Sequence, residues 1–240
     1  MIEQEKWNAR TMHLIGYEGV CRLENARVLV VGVGGVGGYA AEMLVRAGVG
    51  YIAIVDADEV SVSNINRQLV AMHSTIGQPK TELYKKRFKE ISPNIEVTAL
   101  SLFLSSENVD EIVENNYDYV IDAIDTIAPK MALITYCLKH KIPIISSMGA
   151  GGRIDPSKVQ YADVWETRED GLARVIRQRL KKLGVKSSLK VVYSSETPIK
   201  NSIIQLEEDN KRSSFGTLAT IPSIFGIYLA NYVIREIVKI

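Results

Sequence analysis

Residues 26–68 read ARVLVVGVGGVGGYAAEMLVRAGVGYIAIVDADEVSVSNINRQ, and this stretch decides the fold. Residues 28–31 are a short apolar run, suited to a strand buried on both faces of a parallel sheet. Gly32, Gly34 and Gly37 follow as G-x-G-x-x-G. In that pattern the first glycine permits a tight turn and the second lets backbone approach a phosphate. The third lets the next helix pack close to the strand, its N-terminal amides facing the anion. The spacing predicts that helix over 39–47, ended by Gly48, and a second strand over 51–55. Asp56 stands at the end of the second strand, where an acid accepts hydrogen bonds from ribose hydroxyls. A turn that served only packing would explain the glycines and leave Asp56 unaccounted for.

Outward from this unit, strands and helices keep alternating. Helices are predicted over 79–91, 107–115 and 129–140, and strands over 95–100, 119–124 and 142–146. Short connections between them give an α/β fold, a doubly wound Rossmann-like and mostly parallel sheet. At 149–159, GAGGRIDPSKV is a turn-rich boundary. Beyond it, 159–165 and 189–194 read as strands of a small C-terminal α+β extension, with a helix over 171–183 between them. The segment 195–214 is polar and is expected to be mobile. The domain reading is therefore an N-terminal helical arm over 1–25, a nucleotide-binding domain over 26–150, and a substrate or dimerisation extension over 151–240. The run 217–234, TLATIPSIFGIYLANYVI, carries no charge and is long enough to raise the question of a membrane span. Pro222, Asn231 and its hydroxyls favour a buried or dimer-interface helix, so no membrane insertion is expected.

Composition narrows the function classes. The chain has 240 residues, 46% hydrophobic and 24% charged, with a net charge of +1. These values fit a globular enzyme and give no global field that would mark a nucleic-acid or membrane protein. The start, MIEQEKWNAR, does not read as a signal peptide, and a cytoplasmic location is expected. Cys21 and Cys137 cannot supply a four-cysteine zinc site.

Several side chains lie where phosphate chemistry needs them. Asp122 and Asp125, in VIDAIDT, sit at the C-terminal end of a predicted strand, where open α/β sheets bind ligands. Asp125 suits a Mg²⁺ held against a triphosphate, and it also suits a helix N-cap. Arg67 and Lys80 follow the ribose acid. Fixed cations there would stabilise charge building on an α-phosphate, whereas a bland reading makes Lys80 a solvated first-turn lysine. Asn64 fits either a phosphate-orienting or a turn role. Arg10, in WNARTMHLIG, precedes the first strand and has no place in the pattern by itself.

Taken together, R-T-x-x-L-x-G at Arg10, GVGGVGG, D-x-D-x-V-x-x-S-N-x-N-R-Q, G-x-x-K and D-A-I-D make the chain resemble the HesA/MoeB/ThiF family, the bacterial relatives of ubiquitin-activating enzymes. The resemblance covers nearly the whole chain. It implies ATP rather than NAD as ligand and adenylation of a carboxylate as chemistry. It implies a nucleotide set of Gly32, Gly34, Gly35, Gly37, Asp56, Asp58, Asn64, Arg67, Gln68, Lys80 and Asp125. Asp125 would hold Mg²⁺; Arg67, Lys80, Asp125 and Arg10 would be catalytic. Arg10 would reach the nucleotide of the partner in a homodimer. The segment 141–185 resembles the branch of the family that cyclises threonylcarbamoyladenosine in tRNA with net loss of water. In that reaction ATP gives an acyl-adenylate and pyrophosphate, and an internal nucleophile displaces AMP.

Sulfur-handling relatives carry a cysteine in the crossover loop, and none occurs after Gly149 here. Activation of the C-terminal glycine of a ubiquitin-like sulfur carrier nevertheless stays open, as do a sulfur-transfer partner and a non-catalytic or NAD-binding module. Arg174, Arg177, Arg179, Lys181 and Lys182 make the helix over 169–182 basic. It could contact tRNA phosphates or be a solvated face.

Overall fold

The computed structural model describes residues 7–114, 116–208 and 211–240. Residues 1–6 of the predicted arm, on which the leader reading rests, lie outside the described residues. So do Asn115 at the end of a predicted helix and residues 209 and 210 of the polar segment. The elements run α1 (Ala9–Asn25), β1 (Arg27–Val31), α2 (Gly37–Ala47), β2 (Tyr51–Val55), α3 (Lys80–Ile91), β3 (Glu96–Leu100), α4 (Val109–Val113) and β4 (Tyr119–Asp122). They continue as α5 (Ile127–His140), β5 (Ile144–Ser147), β6 (Val159–Asp163), α6 (Gly171–Lys182), β7 (Lys190–Ser194), β8 (Ile203–Glu208), β9 (Lys211–Phe215) and α7 (Thr220–Val238).

Seven strands form one sheet in the order β3-β2-β1-β4-β5-β7-β6. All neighbours pair in parallel except β6, which runs antiparallel to β7. The strand order reverses between β1 and β4, so the crevice beyond their C-terminal ends is where such a sheet binds ligands. Alternate residues of each strand feed two separate cores, as a period of two requires. Val28 and Val30 face Leu44, Tyr84, Phe88 and Phe225, from α2, α3 and α7. Leu29 and Val31 face Ile112, Leu133, Ile134 and Ile176, from α4, α5 and α6.

β6 and β7 continue the main sheet beyond the turn-rich boundary near residue 150. β4 stops at Asp122, two residues short of the predicted strand, and the freed backbone turns under the glycine loop. Within the polar segment 195–214 the sequence reading placed no strand. It contains an antiparallel hairpin, β8 paired with β9, whose irregular register between Gln205 and Glu208 hides the pattern of a strand.

α7 has the length and hydropathy of a membrane span, yet it buries a stripe of Ile221, Phe225, Leu229 and Val233 against the sheet and α2. That spacing is a core-facing helix. The crossing with α2 is close: a Cβ on Gly226 would sit 2.3 Å from the Val36 carbonyl oxygen.

Candidate nucleotide site

The loop after β1 is closed by backbone geometry that only glycine permits. Gly32 has φ +85° and donates its N–H to Val55 O at 2.8 Å. A Cβ on Gly37 would lie 1.8 Å from Gly32 O. Gly34 differs: a Cβ there would meet only Gln68 Nε2, at an ordinary 3.6 Å. The protein itself makes no demand for glycine at Gly34, so the open space beside it fits a docked phosphate. Gly35 lies against Arg67, its added Cβ 3.2 Å from Arg67 Cγ.

Asp56, just past β2, is tied to this loop. One carboxylate oxygen accepts from Val33 N at 2.8 Å and the other from Asp58 N at 2.9 Å. Burial pushes its carboxyl above the ordinary range, and the Lys80 ammonium, 3.9 Å away, acts against that shift. Lys80 opens α3 and is almost wholly buried; its Nζ contacts Asp58 Oδ2 at 2.7 Å. A buried ammonium held by two carboxylates is not the solvated first-turn lysine of the bland reading.

The segment after β2 folds back through a short 3₁₀ turn at Val62–Asn64. Asn64 is buried and its Oδ1 accepts from Ser61 N at 3.2 Å. Arg67 Nη1 donates to Ser63 O at 2.6 Å and to Asn66 Oδ1 at 2.9 Å, which pre-sets the guanidinium beside Gly35. Gln68 is buried next to Gly34 and its Oε1 has no hydrogen-bond partner. A buried acceptor without a donor costs about 1–3 kcal/mol, which a bound nucleotide would relieve. This orphan atom and the space at Gly34 fit ATP.

Across the crevice, residues 123–125 follow β4. Asp122, the last strand residue, is fully buried and paired with Lys130 of α5 at 2.8 Å. Asp125 lies beyond it and is exposed. No cluster of three or more His, Cys, Asp or Glu able to hold a metal occurs among the described residues. A single exposed carboxylate is chemically compatible with Mg²⁺, which seldom uses an all-protein cage.

Two further groups complete this side of the sheet. Arg153 is buried, 3.0 Å from Asp170 Oδ2, and also bonds the Ser194 and Glu169 carbonyls. Asp170 caps α6 through Ala173 N and accepts from Gly149 N at 3.0 Å. The loop after β5 and the start of the basic helix are thus locked together. On α6, Arg174, Arg179, Lys181 and Lys182 are exposed, but Arg177 turns inward to the Thr167 hydroxyl and Val164 O. Arg10 is exposed in the first turn of α1. Cys137 is buried, which raises its thiol to about 12 and leaves it protonated at neutral pH.

The ThiF family model matches residues 8–240, and the chain belongs to the ThiF family. It is 42% identical over 94% of its length to the tRNA threonylcarbamoyladenosine dehydratase of Bacillus subtilis (strain 168), spanning 92% of that protein. The Escherichia coli (strain K12) protein of the same name is 35% identical, with 98% of this chain and 96% of the relative covered. The solved structure of the E. coli enzyme with ATP has a TM-score of 0.88 at 36% identity and covers 96% of this chain and 93% of that one. Its complex with AMP gives 0.89 at 36% identity, with the same coverage of both chains.

Proposed function

We propose that this chain is an ATP-dependent tRNA threonylcarbamoyladenosine dehydratase. The observation that carries the reading is the crevice between β1 and β4. There Gly34 has open space beside Gln68, whose Oε1 is unpartnered, and Asp56, bonded to Val33 N of the same loop, has the buried Lys80 ammonium 3.9 Å away. The relatives that match over nearly their whole length, including the E. coli enzyme solved with ATP and with AMP, share that name.

ATP supplies an electrophilic α-phosphorus: the substrate carboxylate takes AMP, pyrophosphate leaves, and the substrate's own nucleophile expels AMP as the ring closes. The chain's residues bind and orient. Asp56 receives ribose hydroxyls, and backbone amides of the glycine loop face phosphate. Lys80 and Arg67 hold positive charge where nonbridging oxygens gain negative charge. Asp125 would hold Mg²⁺, which would supply positive charge to the phosphates. No cysteine is required, in keeping with the inert Cys137 and the cysteine-free stretch after Gly149.

We further read the enzyme as a cytoplasmic homodimer. Trp7, just before α1, is 52% exposed, Leu14 and Tyr17 are 84 and 71% exposed on either side of a break in α1 at Gly16, and the exposed Arg10 near the start of that helix is available to a second subunit's crevice. The segment 151–240 is the substrate and dimerisation part, with α6 offering Arg174, Arg179, Lys181 and Lys182 to tRNA phosphates.

Incubating the protein with ATP, Mg²⁺ and tRNA bearing threonylcarbamoyladenosine tests this. Mass spectrometry of the digested nucleosides should show loss of one water from that nucleoside, and only with ATP. An unchanged nucleoside with folded, ATP-binding protein would reject the substrate assignment.

A further inference from the structure

Asp122 and Lys130 are fully buried and lie at the base of the crevice without facing it. Buried ion pairs seldom add net stability, since desolvation offsets their attraction, and well-packed apolar residues often serve as well. What distinguishes this pair is its second set of bonds. Asp122 Oδ1 accepts the N–H of Ile124 at 3.1 Å. Lys130 Nζ donates to the carbonyl of the same Ile124 at 2.9 Å. Ser146 Oγ, from β5, fixes the other Asp122 oxygen at 2.5 Å. Both peptide planes flanking Ile124 are therefore gripped, including the one that leads into Asp125.

The gripped turn is also the floor of the glycine loop. A Cβ on Gly32 would lie 2.9 Å from Ala123 O and 3.3 Å from Ile124 N, and one on Gly37 would lie 2.9 Å from Ala123 Cβ. Ala123 N in turn donates to Val31 O at 2.9 Å. One turn thus carries the acid on one side and supports the phosphate loop on the other.

We infer that Asp122 and Lys130 are positioning residues of the nucleotide site, a buried clamp that sets the peptide on either side of Ile124 and so aims Asp125 across the glycine loop. The inference rests on the proposed ATP site but not on the identity of the carboxylate substrate. Lys130 belongs to the helix after β4, so α5 acts on the site from below the crevice.

The test compares the wild type with an Asp122→Asn/Lys130→Met double variant, which removes both charges and avoids stranding one of them. Amide exchange over 123–126 should accelerate while β1 stays protected. The Mg²⁺ concentration needed for half-maximal ATP binding should rise roughly 10–100-fold, the usual effect of disturbing groups behind a metal ligand. ATP binding in EDTA should change much less. Unchanged exchange and unchanged Mg²⁺ dependence in the folded double variant would overturn the inference. Should the double variant not fold, Lys130→Arg keeps the charge in a planar group that cannot reproduce both contacts. It should show the same two shifts in smaller measure, and wild-type values for both would overturn the inference equally. If the wild type itself binds no ATP, the nucleotide-site reading fails first and takes the clamp with it. Equal Mg²⁺ dependence in an ATP-binding pair defeats the clamp alone.

Discussion

Asp56 ties the loop after β1 to the segment after β2, and in the proposed site it would also hold ribose. Its carboxylate holds Val33 N and Asp58 N and still has lone pairs for ribose hydroxyls. Burial raises its pKa, so the folded state takes up a proton at a higher pH than the unfolded chain does. The sign follows: this group's contribution to stability is fully present below the ordinary carboxylate pKa and is lost as pH rises through the raised value. Ribose binding needs the ionised form, so ATP affinity should fall as pH drops through that same raised value. Calorimetry from pH 7.5 downward should show this decline in the wild type, and Asp56→Asn should give weaker affinity with a flatter profile. At the phosphate end, Lys80→Met and Asp125→Ala should each lower kcat/KM by about 10²–10³, the scale of losing one preorganised charge. Steady-state pyrophosphate release reads both.

At this scale the glycine turn, the acid after β2 and the lysine that opens α3 were legible because they follow one another within about one βαβ unit and its sequel. Lys130 was not. It is a single charge inside the apolar helix run IAPKMALI, and only its buried partner on a different strand gives it meaning. Arg177 was legible as basic but not as tied down, because its partners Thr167 and Val164 lie a full turn-and-loop earlier in the chain.

Among the elements, those with strong periodic burial matched their sequence signal closely. β1 and β2 alternate between two cores, and α2 begins at Gly37 because the helix must start as the glycine loop closes. Elements whose pairing is nonlocal were harder to read. β6 and β7 read as an appended unit from sequence because their partner, β5, lies across the turn-rich boundary and the crossover. The hairpin β8–β9 has no partner in the main sheet, so no burial period marked it. The crossing of α7 on α2 depends on Gly226, and Gly226→Ala should cost about 1–3 kcal/mol through overpacking against Val36 O. Urea titration measures this, and an unchanged midpoint would mean that the two helices slide apart freely.

For the whole molecule, the two faces of the sheet divide the labour. α1 packs through Leu23 on the side of α2, α3 and α7, whereas α6 lies on the side of α4 and α5. A dimer built through the exposed face of α1 would leave the basic helix open to tRNA. α6 starts beside Gly149, just past β5, and its 12 residues span about 18 Å, so Arg174 lies nearest that loop and Lys181 and Lys182 farthest from it along the helix. Reversing Arg174, Arg179 and Lys181 to Glu should weaken tRNA binding and lessen its salt dependence by about one unit of log–log slope for each phosphate no longer neutralised. ATP affinity should stay unchanged in that variant. In the proposed homodimer, mixing Arg10→Ala with Asp125→Ala subunits should restore part of the activity that each variant alone lacks, because one of the two crevices then has both groups. A verified mixed dimer with no activity would place Arg10 outside the shared site.

The central claim is that this crevice transfers AMP to a carboxylate carried on tRNA. The most direct measurement follows ATP labelled at the α-phosphorus in a single turnover. With tRNA bearing threonylcarbamoyladenosine, labelled AMP and pyrophosphate should appear together and in step with loss of water from the nucleoside. Formation of ADP and phosphate, or AMP release that proceeds equally without the modified tRNA, would contradict it.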